Sequence, residues 1–341
     1  MVASEPKPDR VCDMVMKGGI TSGIVYPLVV TTLAEKFLFK NIGGTSAGAI
    51  AAAATAAAEL ARDSGGFERL ARLPDFLGAD APGRSGESNL LAFFQPQPRT
   101  AQLFRVCVAG LGGGWRGGLS ACARILVEFW AVILIGLIPG AAFLGMALRD
   151  AHSVFRPVCE AVGILLIFLG AFLALGVHIA TIATRALPQN FYGLCSGMAD
   201  EFANEVSNSF PNRAKPLTVW LTEYLNEFVD RTLDQPPLTF GELWGKNPED
   251  PHRINLEMMT TCLTHGRPYR LPFRDDAEVR ENRFYFRLDE FQCLFPKNVV
   301  DWMLGNARQS KDSSVEASTA ARPCKNAGFI RCRNRPICRL S

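Results

Sequence analysis

The chain has 341 residues, 48% hydrophobic and 20% charged, with a formal net charge of +3 at pH 7; that length suffices for one large domain or two ordinary ones with a sizeable core. The charge is uneven: residues 305–341 carry +6, which leaves −3 on residues 1–304. The body of the protein is therefore no polyanion binder, and nucleic acid is set aside as a partner.

The ten cysteines form no CxxC pair, and none has a histidine at zinc-finger spacing. No metal is expected from them. Several lie in apolar runs, as reduced and buried thiols do. The start, "MVASEPKPDR", is charged and has no hydrophobic stretch behind it, so it does not read as a secretory signal.

"VCDMVM" (11–16) is a short apolar run ending at Gly18-Gly19, which predicts a buried strand feeding a tight turn. After Gly23, "IVYPLVVTTLAEKFLF" has helical apolar spacing, with Pro27 expected in the first turn, where a missing N–H costs little. A second strand ends at Ile42-Gly43, and an alanine-rich helix follows to about Arg62. Strand, glycine turn and helix, repeated, predict an α/β fold with a parallel sheet. Residues 11–78 are read as the first half of this domain.

Residues 79–120, rich in Gly, Pro and Arg, are expected to be a linker, although "FRVCVA" (104–109) within them has the composition of a strand. Two segments without a charge follow, Phe129–Leu148 and Ala161–Thr184. About 20 apolar residues suffice to cross a bilayer. With only Arg149–Pro157 between them, residues 121–185 read as a transmembrane helical hairpin. The other reading, two buried core helices, requires a chain of this size to bury two long adjacent apolar segments. Gly136 and Gly140 have GxxxG spacing, which lets helices approach closely. Glu128 and Glu160 sit at the ends of the spans, where a charge is tolerated. Arg116, Arg124 and Arg185 flank the hairpin, against Arg149 and Arg156 in its loop, which favours cytoplasmic flanks.

Soluble character returns over 186–304, read as the continuation of the first domain. Leu217, Trp220, Leu221, Tyr224, Leu225 and Phe228 form one helical stripe suited to a core. "INLEMMTTCLT" and "RFYFRL" predict strands, and "FPKNVVDWML" a helix start. Residues 305–341 lose periodicity and form an irregular basic tail, either disordered or a replacement for the end of the domain.

The pentapeptide Gly44-Thr45-Ser46-Ala47-Gly48 matches GxSxG. Between a strand and a helix, this pattern makes a sharp turn that leaves a strained serine exposed, with the helix N-terminus beside it. Its glycines are needed because a Cβ would collide with neighbouring backbone. The other reading is a plain strand-to-helix turn beneath a packing helix. A second glycine turn, "KGGITSGIVYP" (17–27), lies at the same edge of the predicted sheet. Backbone N–H groups in such a turn are suited to hold a developing oxyanion.

Together, the N-terminal glycine-rich strand–turn–helix and "GGTSAGAI" about 25 residues later resemble the patatin-like phospholipase family. The resemblance covers residues 11–62, and "MTTCLTHGRPYRLPF" (258–273) is similar to a segment of its larger bacterial members. It implies a three-layer α/β fold with a mainly parallel sheet, here interrupted by the hairpin, and a serine–aspartate dyad. It makes Ser46 the nucleophile, Gly18, Gly19 and Ile20 the oxyanion hole, and Gly44, Thr45, Ala47 and Gly48 the elbow. It also implies cleavage of fatty-acyl esters of membrane lipids, no metal or organic cofactor, and a bacterial inner-membrane location with the hydrolase domain cytoplasmic. The chain departs from the family at Ser22, where Arg or Lys commonly precedes the last glycine of the loop. No Asp is followed by Gly, so the dyad aspartate is unassigned, with Asp275, Asp276, Asp289 and Asp301 as candidates by default. His252 and His265 are alternative bases in reach of sequence reasoning, whereas His152 and His178 fall in the hairpin. "GLGGGWRGG" (110–118) also fits an oxyanion loop, but it follows the serine and leads into the hairpin, so it reads as linker. The other readings of the whole chain are a catalytically inactive membrane-anchored fragment of this family and an interaction module on a two-helix anchor.

Overall fold

A computed structural model of the chain describes residues 8–19, 22–111, 113–149, 156–189, 192–195, 214–250, 252–262, 266–272, 284–309 and 337–340. Two units separate, one built from residues 1–94, 197–325 and 331–341, the other from 95–196 with 326–330.

The first unit opens with β1 (Arg10–Met16), α1 (Ser22–Ala34), β2 (Phe37–Thr45) and α2 (Ala47–Leu60). Short helices α3 (Gly66–Ala71) and α4 (Leu73–Gly78), a ribbon of β3 (Asp80–Ala81) and β4 (Arg84–Ser88), and α5 (Asn89–Ala92) follow. The second unit holds α6 (Ala101–Gly110), α7 (Gly114–Glu128), α8 (Trp130–Arg149), α9 (Arg156–Thr181), a π-helical turn to Ala186 and α10 (Leu187–Gln189). The chain returns to the first unit through α11 (Leu217–Glu227), α12 (Phe240–Trp244), β5 (Asn255–Cys262), β6 (Arg267–Leu271), β7 (Phe284–Arg287), α13 (Leu288–Phe291), α14 (Lys297–Asn306), β8 (Ala307–Gln309) and β9 (Ile337–Leu340).

The main sheet has the order β1-β2-β5-β6. Its first three strands are parallel and β6 closes one edge antiparallel. On β1, Cys12, Met14 and Met16 face the core while Val11, Asp13 and Val15 face away, as period-2 alternation requires. β2 carries one extra residue opposite β1, because Cys12 pairs with Phe39 but Met14 with Ile42. The Asp13 carboxylate fills this bulge, accepting from the backbone N–H of Asn41 at 3.2 Å and from its Nδ2 at 2.8 Å. The bulge lets Phe39 and Ile42, three apart, both point inward.

α2 is the central helix. Ala51, Ala52, Ala54, Ala56, Ala57 and Ala58 are all buried, in one core with Val30, Phe39, Ile42 and Leu256. Alanine favours helix and its small side chain permits close approach: a Cβ on Gly66 would lie 2.3 Å from the carbonyl oxygen of Ala58. Glu59, also buried, accepts from the N–H of Phe39 and is held by Arg62, whose guanidinium also reaches the carbonyls of Ala34 and Phe37. A buried carboxylate is tolerable only when its oxygens are bonded in this way.

The expected place of Pro27 is corrected in this unit. α1 begins at Ser22, so Pro27 lies in its second turn and is buried, leaving the carbonyl at position 23 without its helical donor. The described helices of the core stand on one face of the main sheet. The other face exposes Val11, Val15 and Met259. The stripe on α11 packs as expected: the Trp220 ring stacks on Phe93, Phe76 and Tyr224, with Tyr224 against Phe228. Part of the stretch read as an irregular tail is ordered into β8 and β9, which join β7 in an antiparallel sheet of order β7-β9-β8.

In the second unit the stretch expected as a linker is largely helical. "FRVCVA" lies in α6, not a strand, because Leu103 and Val106, three apart, pack with Ile125, Phe129 and Ile182. Residues 121–128 belong to α7, and the apolar pair itself is α8 and α9. Both are long and apolar enough to cross a membrane, and few residues of either are buried. Small residues bring them together: a Cβ on Gly136 would lie 2.5 Å from the carbonyl oxygen of Gly170, and one on Gly140 2.3 Å from the nitrogen of Ile167. The two ends of the unit meet, with Gln97 donating to the carbonyl of Leu194 and Pro96 bridged to Cys195. Cys107 and Cys122 are exposed free thiols rather than buried ones, and Cys293 is disulfide-bonded rather than reduced.

Candidate active site

Ser46 joins β2 to α2 with φ 56° and ψ −132°. A positive φ is uncommon for any residue with a Cβ and costs of order 1–3 kcal/mol. A serine before a helix ordinarily takes extended backbone and caps the first N–H groups with its side chain. Here the backbone is turned the other way, the side chain makes no cap hydrogen bond, and the residue is exposed. Its carbonyl accepts from Ala49 at 2.9 Å, a bond to the residue three on that closes the first turn. The conformation gives up a cap and leaves Oγ free for chemistry.

The surrounding glycines have measurable reasons. A Cβ on Gly44 would lie 2.2 Å from the carbonyl oxygen of Gly48, and one on Gly48 2.3 Å from that of Met16. A Cβ on Gly18 would lie 2.5 Å from both the Thr45 carbonyl oxygen and the Ser46 Cβ, and 3.1 Å from Ser46 Oγ. Real atoms do not approach so closely, so each position admits only glycine without a backbone shift. The two glycine turns read from the sequence thus touch one another. Met16 pairs with Gly44, and Thr45 with Met259, which puts both turns at the C-terminal edge of the parallel strands.

Thr45 is the exposed last residue of β2, and Ala47 is the half-buried first residue of α2. Gly19 follows Gly18 and is exposed; Ile20 lies outside the described residues. Tyr26 on α1, which sequence reasoning did not single out, donates its hydroxyl to the carbonyl of Lys17 at 2.9 Å. That bond ties the first residue of the glycine turn to the helix after it. No periodic signal marks it, since it depends on the turn bringing Lys17 back over α1.

The base is not brought to the serine among the described residues: none of them hydrogen-bonds Ser46 Oγ. Asp275, Asp276, His152 and His265 lie outside the described residues, as does the side chain of Asp289. Asp301 is exposed on α14 and paired with Lys297. Asp13 is engaged by Asn41. His252 is exposed with its ring edge-on to Trp244, and His178 lies against Phe129. Of the described glycines of 110–118, Gly110 ends α6, Gly113 precedes α7, and Gly114, Gly117 and Gly118 lie within α7, with Gly113 and Gly114 at positive φ.

The chain is similar to a protein of Rhizobium meliloti (strain 1021) named RpoH suppressor, with 37% identity over 325 residues. The match covers 88% of this chain and 46% of that protein, so the chain spans about half the length of the curated relative it matches. No protein-family description matches the chain, and no solved structure matches it.

Proposed function

We propose that the chain is a membrane-attached serine acyl hydrolase of the patatin-like type, acting on fatty-acyl esters of membrane lipids. One observation carries this reading: Ser46 is held at φ 56° with its side chain withdrawn from capping, while the bare backbone of Gly18 is pressed against it. A packing helix needs neither feature. A nucleophile elbow beside an oxyanion loop needs both.

In the proposed reaction Ser46 Oγ attacks the acyl carbonyl as an aspartate takes its proton. The oxyanion is stabilised by backbone N–H groups of the Gly18-Gly19 turn. The tetrahedral intermediate collapses with proton return to the leaving alcohol, and water then releases the fatty acid from Ser46 by the same route. The pair α8–α9 supports a lipid substrate, because two spans tether the chain to the bilayer where such esters lie.

The test is a fluorophosphonate probe applied to the full chain reconstituted in phospholipid vesicles. Wild type is expected to label and Ser46→Ala not to. A wild-type chain that stays unlabelled while its thermal transition is intact assigns it instead to the catalytically inactive, membrane-anchored class.

A further inference from the structure

α7 has two apolar faces, and only one is packed among the described residues. The inward face presents Gly117, which is buried, Ala121, whose Cβ lies 3.7 Å from where one on Gly110 would stand, and Ile125, which packs with Phe129 and Ile182. Trp115, Leu119, Cys122 and Leu126 recur at i, i+4, i+7 and i+11 on the opposite face. That stripe is bare: Trp115 is 75% exposed, and Leu119 and Leu126 are each 62% exposed. Trp130, 61% exposed, follows where α8 begins after a single non-helical residue, Phe129.

We infer that α7 is an interfacial helix whose Trp115–Leu119–Cys122–Leu126 face lies in the boundary between lipid headgroups and acyl chains. The inference rests on reading α8 and α9 as membrane spans and goes beyond it, since α7 was expected as linker and the start of the hairpin.

Three observations select lipid as the occupant. The stripe is continuous along the chain with the exposed apolar surface of α8, so its C-terminal end lies where α8 enters hydrocarbon. Tryptophans bracket it at Trp115 and Trp130, and this amphipathic side chain concentrates at the membrane–water boundary. Residues 99–128 carry Arg99, Arg105, Arg116 and Arg124 against the single acid Glu128, a net +3 that suits anionic headgroups. Arg105 and Arg124 hold Glu128 at the end of α7, at 2.6 and 2.9 Å, while Arg116 lies over the Trp115 ring at the exposed start of the helix. A helix with an apolar face and arginines beside it lies in the plane of the interface.

The experiment places a photoreactive benzophenone amino acid at Leu119 in the full chain, in vesicles of phosphatidylethanolamine and phosphatidylglycerol. A second variant carries it at Phe168, mid-way along α9. After irradiation the adducts are read by mass spectrometry. The expected result is a phospholipid adduct at both positions. A protein adduct at 119, or none there alongside a lipid adduct at 168, overturns the inference and leaves the spans standing. No lipid adduct at either position overturns both. Probe labelling of Ser46 is independent of all three outcomes, so failure of the hydrolase reading is told apart.

Discussion

Gly18 and Ser46 belong to different turns, yet a Cβ on the glycine would stand 2.5 Å from the Cβ of the serine. The loop after β1 therefore walls the elbow after β2 with bare backbone. Gly18→Ala is expected to slow fluorophosphonate labelling of Ser46 at least about tenfold, or 1.4 kcal/mol. It should also lower stability by about 1–3 kcal/mol, the usual cost of overpacking. Gly78→Ala, where no atom lies within 4 Å of the added Cβ, is the control that should change neither.

Strain at Ser46 can be read from a pair of variants. Ser46→Gly removes the Cβ that disfavours φ 56°, whereas Ser46→Ala keeps it. Both should abolish labelling, but the glycine variant is expected to be more stable than the alanine variant by about 1 kcal/mol. Equal thermal midpoints would show the elbow to be unstrained.

The contact between α8 and α9 predicts a sharp position dependence. Gly136→Leu drives side-chain atoms into the carbonyl of Gly170 and should lower the thermal midpoint of the detergent-solubilised protein, by about 1–3 kcal/mol in stability. Gly176→Leu adds the same atoms where nothing lies within 4 Å of a Cβ and should leave the midpoint unchanged or raise it, leucine being the better helix former. An equal loss at both positions would mean that the helices do not pack at Gly136.

Glu242 is expected to contribute to the acid sensitivity of the first unit. Partial burial alone would raise its carboxyl, but bonds from Arg231 and from the side chain and backbone of Thr239 outweigh that, and the group sits below its ordinary value. A depressed folded value contributes stability that is present above the unfolded value of about 4.5 and is lost as pH falls through the folded one. The thermal midpoint of wild type should therefore fall between about pH 6 and about pH 3 more steeply than that of Glu242→Gln. The variant starts lower at pH 6 because its capping box with Thr239 and its ion pair with Arg231 are weakened.

Much of the site was legible because its signals are local. Glycine on each side of Ser46, a strand before it and alanines after it describe the elbow within ten residues of chain. The alanines answer to a second demand as well: α2 is the buried centre of the core, so packing and presentation of the serine are both served by the same run. The linker reading of 79–120 went astray for the opposite reason. Its glycines and arginines mask two helices whose apolar residues acquire meaning only against Phe129 and Ile182, from elements further along the chain.

The sequence by itself determined the α/β order of the first 60 residues, the glycine turns, the serine set between them and the two long apolar helices. Each follows from spacing or from the absence of a Cβ, properties that neighbours in the chain carry with them. Tertiary structure alone decided that Gly18 touches Ser46, that Asp13 fills the bulge at Asn41, that Tyr26 ties down Lys17 and that, among the described residues, α7 keeps one apolar face uncovered. These are contacts between segments 9 to 28 residues apart, or faces defined by what packs behind them, and no local pattern encodes which partner arrives.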